Sequence, residues 1–486
     1  MQPFTGFCGP AYRSRSQTAS ADMAINLYVE TLPGQAKSSF LYATPGLKAY
    51  GSSANAGQRG CFSQDRRTFR VSGNVCEEIN TFVSPPTVTA LGMIPNDGNP
   101  VSIVSNGQGG NQVMIVGGGT VSIFNLATNL FTGPIALPLV TSPVQGAFMD
   151  GYFLLTEQMS DRIWFSALED GTSWNALDFF ARSHVSDTVV GIAVLRDRIW
   201  VFGSQTTEVF YNSGDLNTPF LPYPGSVMQE GASTPWGIII ADESIYWLAE
   251  DNLGRGRINR ASDYQPQEVS TPAIDFALAA YDVSTAEAGS YFQEGHTFAW
   301  WTFSSGDTWC YDTREQAWHQ RQAWDQTTDT YPRWRVRGGA CSTSAGVLVG
   351  DYATGDFYLL DLDTFTDNGQ PRKRLRRAPY LSASADWLFL DQVELGAQVG
   401  VGLPTNTQGS LAQVMLRISR DAAQTWTEKI FASVGQVGDF VARCIWRNLG
   451  RSRADRLVLE ISQTDSIRTA WGPGLFLRIT PGAGLL

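Results

Sequence analysis

Few residues of this sequence stand at spacings that support catalysis or metal binding. The three histidines are His184, His296 and His319, and none lies in a His-Glu-x-x-His pattern or at another metal-ligand spacing. No Gly-x-Ser-x-Gly elbow is present, although a Ser-His-Asp triad assembled only in space stays open at this point. We therefore predict structural histidines, and a chain that is not an enzyme, with no catalytic residue, no metal site and no cofactor site.

One short motif has a recognisable form. Ser419, Asp421, Thr425 and Trp426 match the Asp-box, Ser-x-Asp-x-Gly-x-Thr-Trp, except that Ala423 stands where glycine is usual. In sialidases and similar propellers this box is a hairpin turn, in which the aspartate accepts hydrogen bonds from turn amides and the tryptophan packs beneath. It marks a fold and not a reaction, so we predict a structural turn. A β-propeller glycosidase or carbohydrate-binding protein is the alternative, because Asp and Glu supply carboxylates, although no spacing singles out a pair.

Basic residues are concentrated in one run, which consists of Arg372, Lys373, Arg374, Arg376 and Arg377. The run suits a solvated linker or an ion-pairing partner for an acidic neighbour, and phosphate contact is the alternative. The chain as a whole has 35 Lys and Arg against 46 Asp and Glu, a net charge of −11, which is not the footprint of a protein that binds DNA tightly. We expect the run to face a protein partner.

Composition favours many short strands over helices. The 486 residues are 43% apolar and 17% charged, with 48 Gly and 23 Pro, as expected where tight turns join strands. No apolar run of membrane-spanning length and no signal-peptide pattern is visible, which disfavours a membrane span and classical secretion. The six cysteines are irregularly spaced and are predicted to be reduced, with a Cys61–Cys76 disulfide as the alternative.

Strand-turn-strand units recur between about residues 58 and 366. In the three clearest units, a nearly continuous apolar strand leads through a short turn into an aromatic-rich strand, and the turns are Asp150-Gly151, Arg196-Asp197 and Asp242-Glu243. An inner strand buried on both faces is expected to be continuously apolar, so each unit resembles a blade that runs from axis to rim. With weaker copies, this predicts a β-propeller of six or seven blades, since ring closure leaves few open edges.

The remaining segments complete an all-β organisation. We predict an N-terminal arm over 1–57 that orders on assembly, the propeller over 58–366, a basic linker over 367–379, and a C-terminal β-sandwich-like domain over 380–486. The last domain is predicted from alternating strands at 414–418 and 457–461.

Several motifs in this order resemble the packaged-DNA stabilisation proteins, or tail hub (nozzle) proteins, of short-tailed bacteriophages. The N-terminal Asn26-Leu27-Tyr28-Val29-Glu30 and the mid-chain Ile199-Trp200-Val201-Phe202-Gly203 are similar to segments of that family. The most specific match is C-terminal, and it includes the Asp-box region, Arg443, the run from Trp446 and Arg447 through Arg451 to Arg453, and Trp471-Gly472. The residues Ala422-Ala423 depart from the paired glycines that the family has after the aspartate.

The resemblance implies a structural virion protein, made in the host cytoplasm, in the short tail of a phage. It implies a ring, typically a homohexamer, that extends the DNA channel below the portal and adaptor and carries tail spikes, fibres or a needle. Double-stranded DNA would pass through without tight binding, because a net acidic wall repels phosphate. As possible interface residues the sequence offers the basic run together with Arg443, Trp446, Arg447 and Arg451.

Overall fold

The computed structural model describes residues 1–11, 14–16, 18–34, 39–182, 187–216, 218–251, 254–381, 385–403 and 410–481. Within these ranges the regular secondary structure is almost entirely β-strand, and the two short α-helices are α1 (Gly107–Gly110) and α2 (Pro272–Leu278). None of the helices described there has the length and apolar character needed to cross a membrane. The all-β class predicted from composition is confirmed.

The strands fall into three consecutive groups. The N-terminal strands are β1 (Gln2–Phe4), β2 (Met23–Ile25), β3 (Leu27–Thr31), β4 (Ser39–Ala43) and β5 (Gly46–Ser52). The strands of the repeats are β6 (Gln58–Gln64), β7 (Arg67–Ser72), β8 (Val75–Asn80), β9 (Thr87–Met93), β10 (Ser102–Ser105), β11 (Gln112–Gly117), β12 (Thr120–Asn125), β13 (Leu130–Thr132), β14 (Pro143–Met149), β15 (Tyr152–Glu157), β16 (Arg162–Ala167), β17 (Asp170–Ala181), β18 (Val189–Leu195), β19 (Arg198–Gly203), β20 (Thr207–Asn212), β21 (Phe220–Pro222), β22 (Ile238–Ala241), β23 (Ser244–Glu250), β24 (Gly256–Ser262), β25 (Gln265–Glu268), β26 (Glu287–Gln293), β27 (His296–Thr302), β28 (Thr308–Asp312), β29 (Ala317–Gln320), β30 (Val336–Thr343), β31 (Gly346–Asp351) and β32 (Asp356–Asp361). The C-terminal strands are β33 (Thr366–Asp367), β34 (Gln370–Pro371), β35 (Arg374–Arg377), β36 (Trp387–Ala397), β37 (Gln413–Ser419), β38 (Ile430–Ser433), β39 (Cys444–Arg447), β40 (Arg451–Arg453), β41 (Val458–Gln463) and β42 (Ala470–Pro481).

The repeats form a β-propeller. Antiparallel four-stranded units run in chain order as β6–β9, β10–β13, β14–β17, β18–β21, β22–β25 and β26–β29, and β30–β32 begin one more. The first strands contact one another in sequence, from β6 through β10, β14, β18, β22 and β26 to β30, and β30 contacts β6 again. The first strands therefore surround the axis. In the described residues the ring has seven units, within the predicted six or seven.

The last blade is completed from the N-terminal segment. Strand β5 pairs antiparallel with β32, with Leu47 opposite Leu360 and Gly46 opposite Asp361. Without β5 the edge of β32 would expose unpaired backbone groups in an otherwise closed ring. The arm expected over 1–57 thus differs from the structure: its described strands are all paired in sheets, and β5 belongs to the propeller.

The C-terminal strands pack as two sheets around one apolar core, which includes Leu41, Val393, Trp446, Leu459 and Trp471. One sheet contains β36, β39, β40 and β42 together with the N-terminal β1, β3 and β4. The other contains β37, β38 and β41, and it continues through β35 and β2 into β29 of the propeller. The segment predicted as a linker therefore contributes β35, a central strand that joins the two domains.

Candidate functional site

The basic run lies in the junction between propeller and sandwich. Arg372 pairs with Asp367 at 3.1 Å and Lys373 with Asp329 at 2.6 Å. Arg376 lies 2.5 Å from the carboxylate of Asp22 and donates to the carbonyl of Phe7 at 2.7 Å. The run thus binds acidic and carbonyl groups from several distant segments of its own chain.

Burial corrects the expectation that this run faces a partner. Arg372, Lys373, Arg374 and Arg376 are each at most 2% exposed. Arg374 donates to the backbone carbonyls of Asp465 and Ile467, and burial, followed by the charge of Arg372, lowers its pKa to about 9. Burying such groups is costly unless their hydrogen bonds are satisfied, so these cations are not free to contact phosphate or another protein while the junction is intact.

The Asp-box residues form one turn after β37. Asp421 Oδ1 accepts hydrogen bonds from the backbone amides of Gln424 and Thr425, at 3.1 and 2.9 Å, and from the hydroxyl of Ser419 at 2.7 Å. The Thr425 hydroxyl donates to the other oxygen at 2.5 Å. The side-chain bond from Thr425, then its amide and the Ser419 hydroxyl, lower the pKa of Asp421 to about 2. Both oxygens therefore hold the turn.

The turn has an unusual backbone at the two alanines. Ala422 and Ala423 have φ values of 61° and 67°, in the left-handed region that favours glycine. Trp426 is half-buried, and the guanidinium groups of Arg377 and Arg417 lie 4.7 and 5.3 Å from its ring centroid. The tryptophan thus packs against charged side chains at the edge of the sandwich and not in a fully apolar core.

The histidines and cysteines have structural surroundings. His296 Nδ1 lies 2.6 Å from Asp312, and His319 accepts a hydrogen bond from Arg321 at 3.2 Å. Burial, and then the charge of Arg321, hold the pKa of His319 well below its usual value. His184 lies outside the described residues. All six cysteines are free thiols, so Cys61 and Cys76 form no disulfide, and the described part of the chain contains no cluster of three ligands suited to a metal ion.

The structure brings three predicted interface residues to one surface. Arg443 lies next to β39, Arg447 ends that strand, Arg451 begins β40, and all three are exposed. Arg443 is paired with Glu394 at 2.9 Å. Trp446 instead lies in the sandwich core, with its indole N–H donating to the carbonyl of Ile430 at 2.9 Å. Trp446 is therefore not available as an interface residue.

This surface, which we call the arginine face, is the outward side of the β36 sheet. On β36, Trp387 is paired with Arg453 of β40, and Phe389 is paired with Arg451 of the same strand. Further along β36, Gln392 lies between Arg447 of β39 and Arg478 of β42. Directly opposed residues of antiparallel strands project from the same side of a sheet. Trp387 and Phe389 are 39% and 42% exposed, and the Arg451 guanidinium lies 4.3 Å from the centroid of the Trp387 ring.

Part of the positive charge on the arginine face is not neutralised within the chain. Arg453 lies 3.2 Å from Asp455. Arg447 and Arg478, in contrast, form no ion pair with any residue in the described ranges. A face with exposed aromatic rings and unpaired guanidinium groups has the composition that protein interfaces favour.

The propeller has the opposite charge on one of its faces. Because the strands of each blade alternate in direction, the turn after the first strand and the turn after the third lie on the same side. Arg196 donates a hydrogen bond of 3.0 Å to Glu243, and the two residues come from the first turns of neighbouring blades, which confirms that these turns share one side. Its exposed carboxylates are Asp65, Asp150, Glu169, Asp197, Asp215, Asp242, Glu243, Asp263 and Glu294, against the exposed arginines Arg66, Arg196 and Arg314. We call this side the acidic face.

An apolar cavity opens near the middle of the acidic face. It has a volume of about 450 Å³ and lies between the first strands of five blades. Its apolar lining includes Phe62, Val104, Phe148, Val194 and Ile239. The acidic face therefore combines a charged rim with an apolar centre. Sequence repeats predicted three of the turns that bear these acids, Asp150-Gly151, Arg196-Asp197 and Asp242-Glu243, but not that they share one side, which follows only from the closed ring.

The fold and these surfaces define a class of protein: a β-propeller joined to a β-sandwich, with an arginine-rich surface on one domain and an acidic surface on the other. The sequence matches the model of the bacteriophage P22 Gp10 β-propeller over residues 9–365 and that of the P22 Gp10 β-sandwich over residues 373–471. The chain belongs to this family, the tail hub or stabilisation proteins of short-tailed phages. It is thus a virion structural protein, and the predicted propeller and C-terminal sandwich are confirmed.

Other comparisons add little. No curated protein matches the chain significantly. Among solved structures, a chain of the mitotic checkpoint complex is 9% identical with a TM-score of 0.44, and covers 68% of this chain and 96% of its own length. The N-terminal domain of Nup159 is 11% identical with a TM-score of 0.41, and the corresponding coverages are 69% and 97%. Scores this low do not establish a shared function.

Proposed function

We propose that this protein is a non-enzymatic hub or nozzle ring of a short phage tail. In this role six copies extend the DNA channel below the portal and adaptor, help to retain packaged DNA, and anchor spikes, fibres or a needle. Membership of the Gp10 family over both domains is the observation that carries the proposal. The proposal takes the propeller, which β5 completes, and the sandwich, which includes β1, β3, β4 and β35, as the two working units of each copy, made in the host cytoplasm before assembly.

Charge supports passage of DNA without capture. The chain has a net charge of −11, and four cations of its densest basic run are buried in the domain junction. Tight nonspecific binding to a duplex needs clustered, accessible Lys and Arg that release counterions from phosphate. A hub of this composition would let DNA slide through the tail while the head is being emptied.

The hydrogen bonds of the Asp-box support the proposal that the protein is not a glycosidase. Glycoside hydrolysis uses two carboxyl groups that face a substrate, one of them as a proton donor. Asp421, with both oxygens bound in a turn and its pKa lowered to about 2, is unsuited to donate a proton near neutral pH. We propose that Ser419, Asp421, Thr425 and Trp426 stabilise the sandwich edge.

Genome retention in particles tests the proposal. Particles assembled without this protein are expected to fill their heads and then lose DNA, because nothing seats the lower tail components that block the channel. Nuclease-protected DNA, measured over time after packaging, compares these particles with complemented ones. Full retention without the protein would contradict the closure role. A complementing variant with Arg468→Gln, at an exposed ion pair with Asp363, is the matched control and should retain DNA normally.

A further inference from the structure

We propose that the arginine face of one copy docks on the acidic face of a neighbouring copy of the same chain. This contact rests on the proposed ring and identifies the surfaces that would form it. The occupant of the arginine face is therefore a second copy, and its recognition is electrostatic at the rim and apolar at the centre.

Charge complementarity is the first argument for this occupant. Arg447 and Arg478 project from the β36 sheet without an ion-pair partner in the described part of the chain. The acidic face presents exposed carboxylates in the turns of most blades, among them Asp150, Asp242 and Glu294. The chain thus carries both halves of a complementary pair on two separate domains.

The apolar character of the centre of each face is the second argument. Trp387 and Phe389 stand among the arginines, each about two-fifths exposed. The cavity of about 450 Å³ in the acidic face is lined by Phe62, Phe148, Val194 and other apolar side chains. Aromatic anchors that enter an apolar pocket, surrounded by charged groups, form the arrangement found at the energetic centre of protein interfaces.

The placement of the faces accounts for a ring. They lie on different domains of one chain, so the contact joins two unlike surfaces and is head-to-tail. Such contacts produce closed rings when the rotation between copies closes, whereas a contact between like surfaces stops at a dimer. The rigid connection of the domains through β29, β2 and β35 would fix that rotation.

Charge reversal on the full-length protein tests the contact. The variant Arg447→Glu/Arg478→Glu changes the two unpaired cations of the arginine face to anions, and Asp242→Lys/Glu243→Lys changes two carboxylates of the acidic face to cations. Each should weaken self-association by roughly a hundredfold or more, since juxtaposed like charges disfavour a complex strongly. Sedimentation velocity across a salt series measures this association, and salt should weaken it in the wild type. Arg255→Glu, at an exposed arginine between β23 and β24 on the opposite side of the propeller, is the control and should assemble like wild type.

Restoring complementarity distinguishes a specific contact from a general charge effect. Equimolar mixing of the two variants should restore association in pairs, because the native arginine face of one variant can dock on the native acidic face of the other. A second measurement does not depend on charge: Trp387→p-benzoylphenylalanine, in a mixture of isotopically labelled and unlabelled chains, should cross-link to acidic-face peptides of another copy. Melting curves must show that each variant is folded.

Several results would overturn the contact. These are a wild-type chain that stays monomeric at low salt, reversed variants that assemble normally, and cross-links confined to one copy. Loss of duplex-DNA binding in Arg447→Glu/Arg478→Glu, with assembly unchanged, would assign the arginine face to DNA instead. This test is independent of the genome-retention test. Purified copies could associate through these faces even if particles without the protein kept their genome.

Discussion

Arg376 forms an ion pair with Asp22, with its Nη1 2.5 Å from the Asp22 Oδ1. Arg376 lies on β35, which leaves the propeller, and Asp22 immediately precedes β2, which enters it. Three further backbone carbonyls, those of Gly6, Pro10 and Met23, accept hydrogen bonds from the same guanidinium. One buried arginine therefore holds together the chain segments that close the domain junction.

Replacing this arginine should open the junction. Arg376→Gln leaves the Asp22 carboxylate buried without its partner, and breaking a buried pair in this way typically costs about 3–5 kcal/mol. Urea denaturation followed by tryptophan fluorescence measures the change. Arg468→Gln, at an exposed pair, should change stability by no more than about 1 kcal/mol. Equal effects of the two substitutions would show that burial does not determine how much each ion pair contributes to the free energy of unfolding.

Closure of the propeller gives a second prediction, at Gly46 on β5. A Cβ at this position would lie 2.1 Å from the backbone oxygen of Thr364 and 2.7 Å from that of Thr366. Gly46→Ala should therefore displace β5 from β32 and cost about 1–3 kcal/mol, in the range of overpacked sites. Gly109→Ala is the control, since no atom lies within 4 Å of its Cβ position. Hydrogen exchange of β32 amides, faster in Gly46→Ala alone, is the expected signature.

Local sequence patterns predicted the blades well, whereas the pairing of strands that are distant in sequence could not be predicted. The turns Asp150-Gly151, Arg196-Asp197 and Asp242-Glu243 lie between the expected strands because a hairpin is encoded within about a dozen residues. The partnership of Leu47 with Leu360 leaves no such local signal. Likewise, the charges of Arg374 and Arg376 predicted exposure, and only the distant carboxylate and carbonyl groups that bind them explain their burial.

The residues of the proposed surfaces could likewise be predicted only where they are close in sequence. Arg443, Arg447 and Arg451 could be selected from sequence because they cluster in a short stretch. Trp387, Phe389 and Arg478 could not, because they join that cluster only through the pairing of β36 with β40 and β42. Trp446 was wrongly included, since its strand alternates and its side chain is on the core side, opposite Val393.

His296 predicts a pH dependence of stability. Burial alone would lower its pKa, but the hydrogen bond to Asp312 and the charges of Asp312 and Glu30 raise it above the usual value. Glu30 lies on β3 of the sandwich, 3.9 Å from Nε2, so the charged imidazole connects the two domains. Arg314, whose charge opposes protonation, and the neutral Tyr28, whose ring lies 5.3 Å away, complete its surroundings with His319.

The direction of this pH dependence follows from the raised pKa of His296. An unfolded histidine titrates near about 6.5, so the stabilising contribution of His296 is fully present below that pH. It is lost as the pH rises through the higher pKa of the folded state. Urea midpoints of wild type, measured relative to those of His296→Gln, should fall from pH 6 toward pH 8, because the comparison removes the opposite contribution of His319, whose pKa is lowered. An unchanged slope in the variant would assign the dependence to other groups.

The Asp-box turn predicts opposite effects of two substitutions. Ala423 has a φ of 67°, so Ala423→Gly relieves a left-handed conformation that costs an alanine about 1–2 kcal/mol, partly offset by the greater freedom of glycine in the unfolded chain. We expect a small gain in stability. Trp426→Ala should destabilise by about 1–3 kcal/mol, less than for a fully buried tryptophan, because the ring is half-exposed. Calorimetry of the full chain measures both.

Duplex DNA should bind the purified protein weakly near physiological salt. The basic run is buried, so the arginine face offers the main group of accessible cations, with Arg447, Arg451 and Arg478 exposed. Three phosphate contacts would give a slope of log K against log salt of about −3, far shallower than that of a tight DNA-binding protein. Filter binding across a salt series measures the slope, and Arg447→Gln/Arg478→Gln should reduce it toward about −1. The acidic face of the propeller opposes even this contact. Binding should also not depend on DNA sequence, because contacts to phosphate do not read the bases. A steep slope, or selection of one sequence over another, would mean that the junction opens to release Arg372, Arg374 and Arg376, and the model of passage without capture would then be wrong.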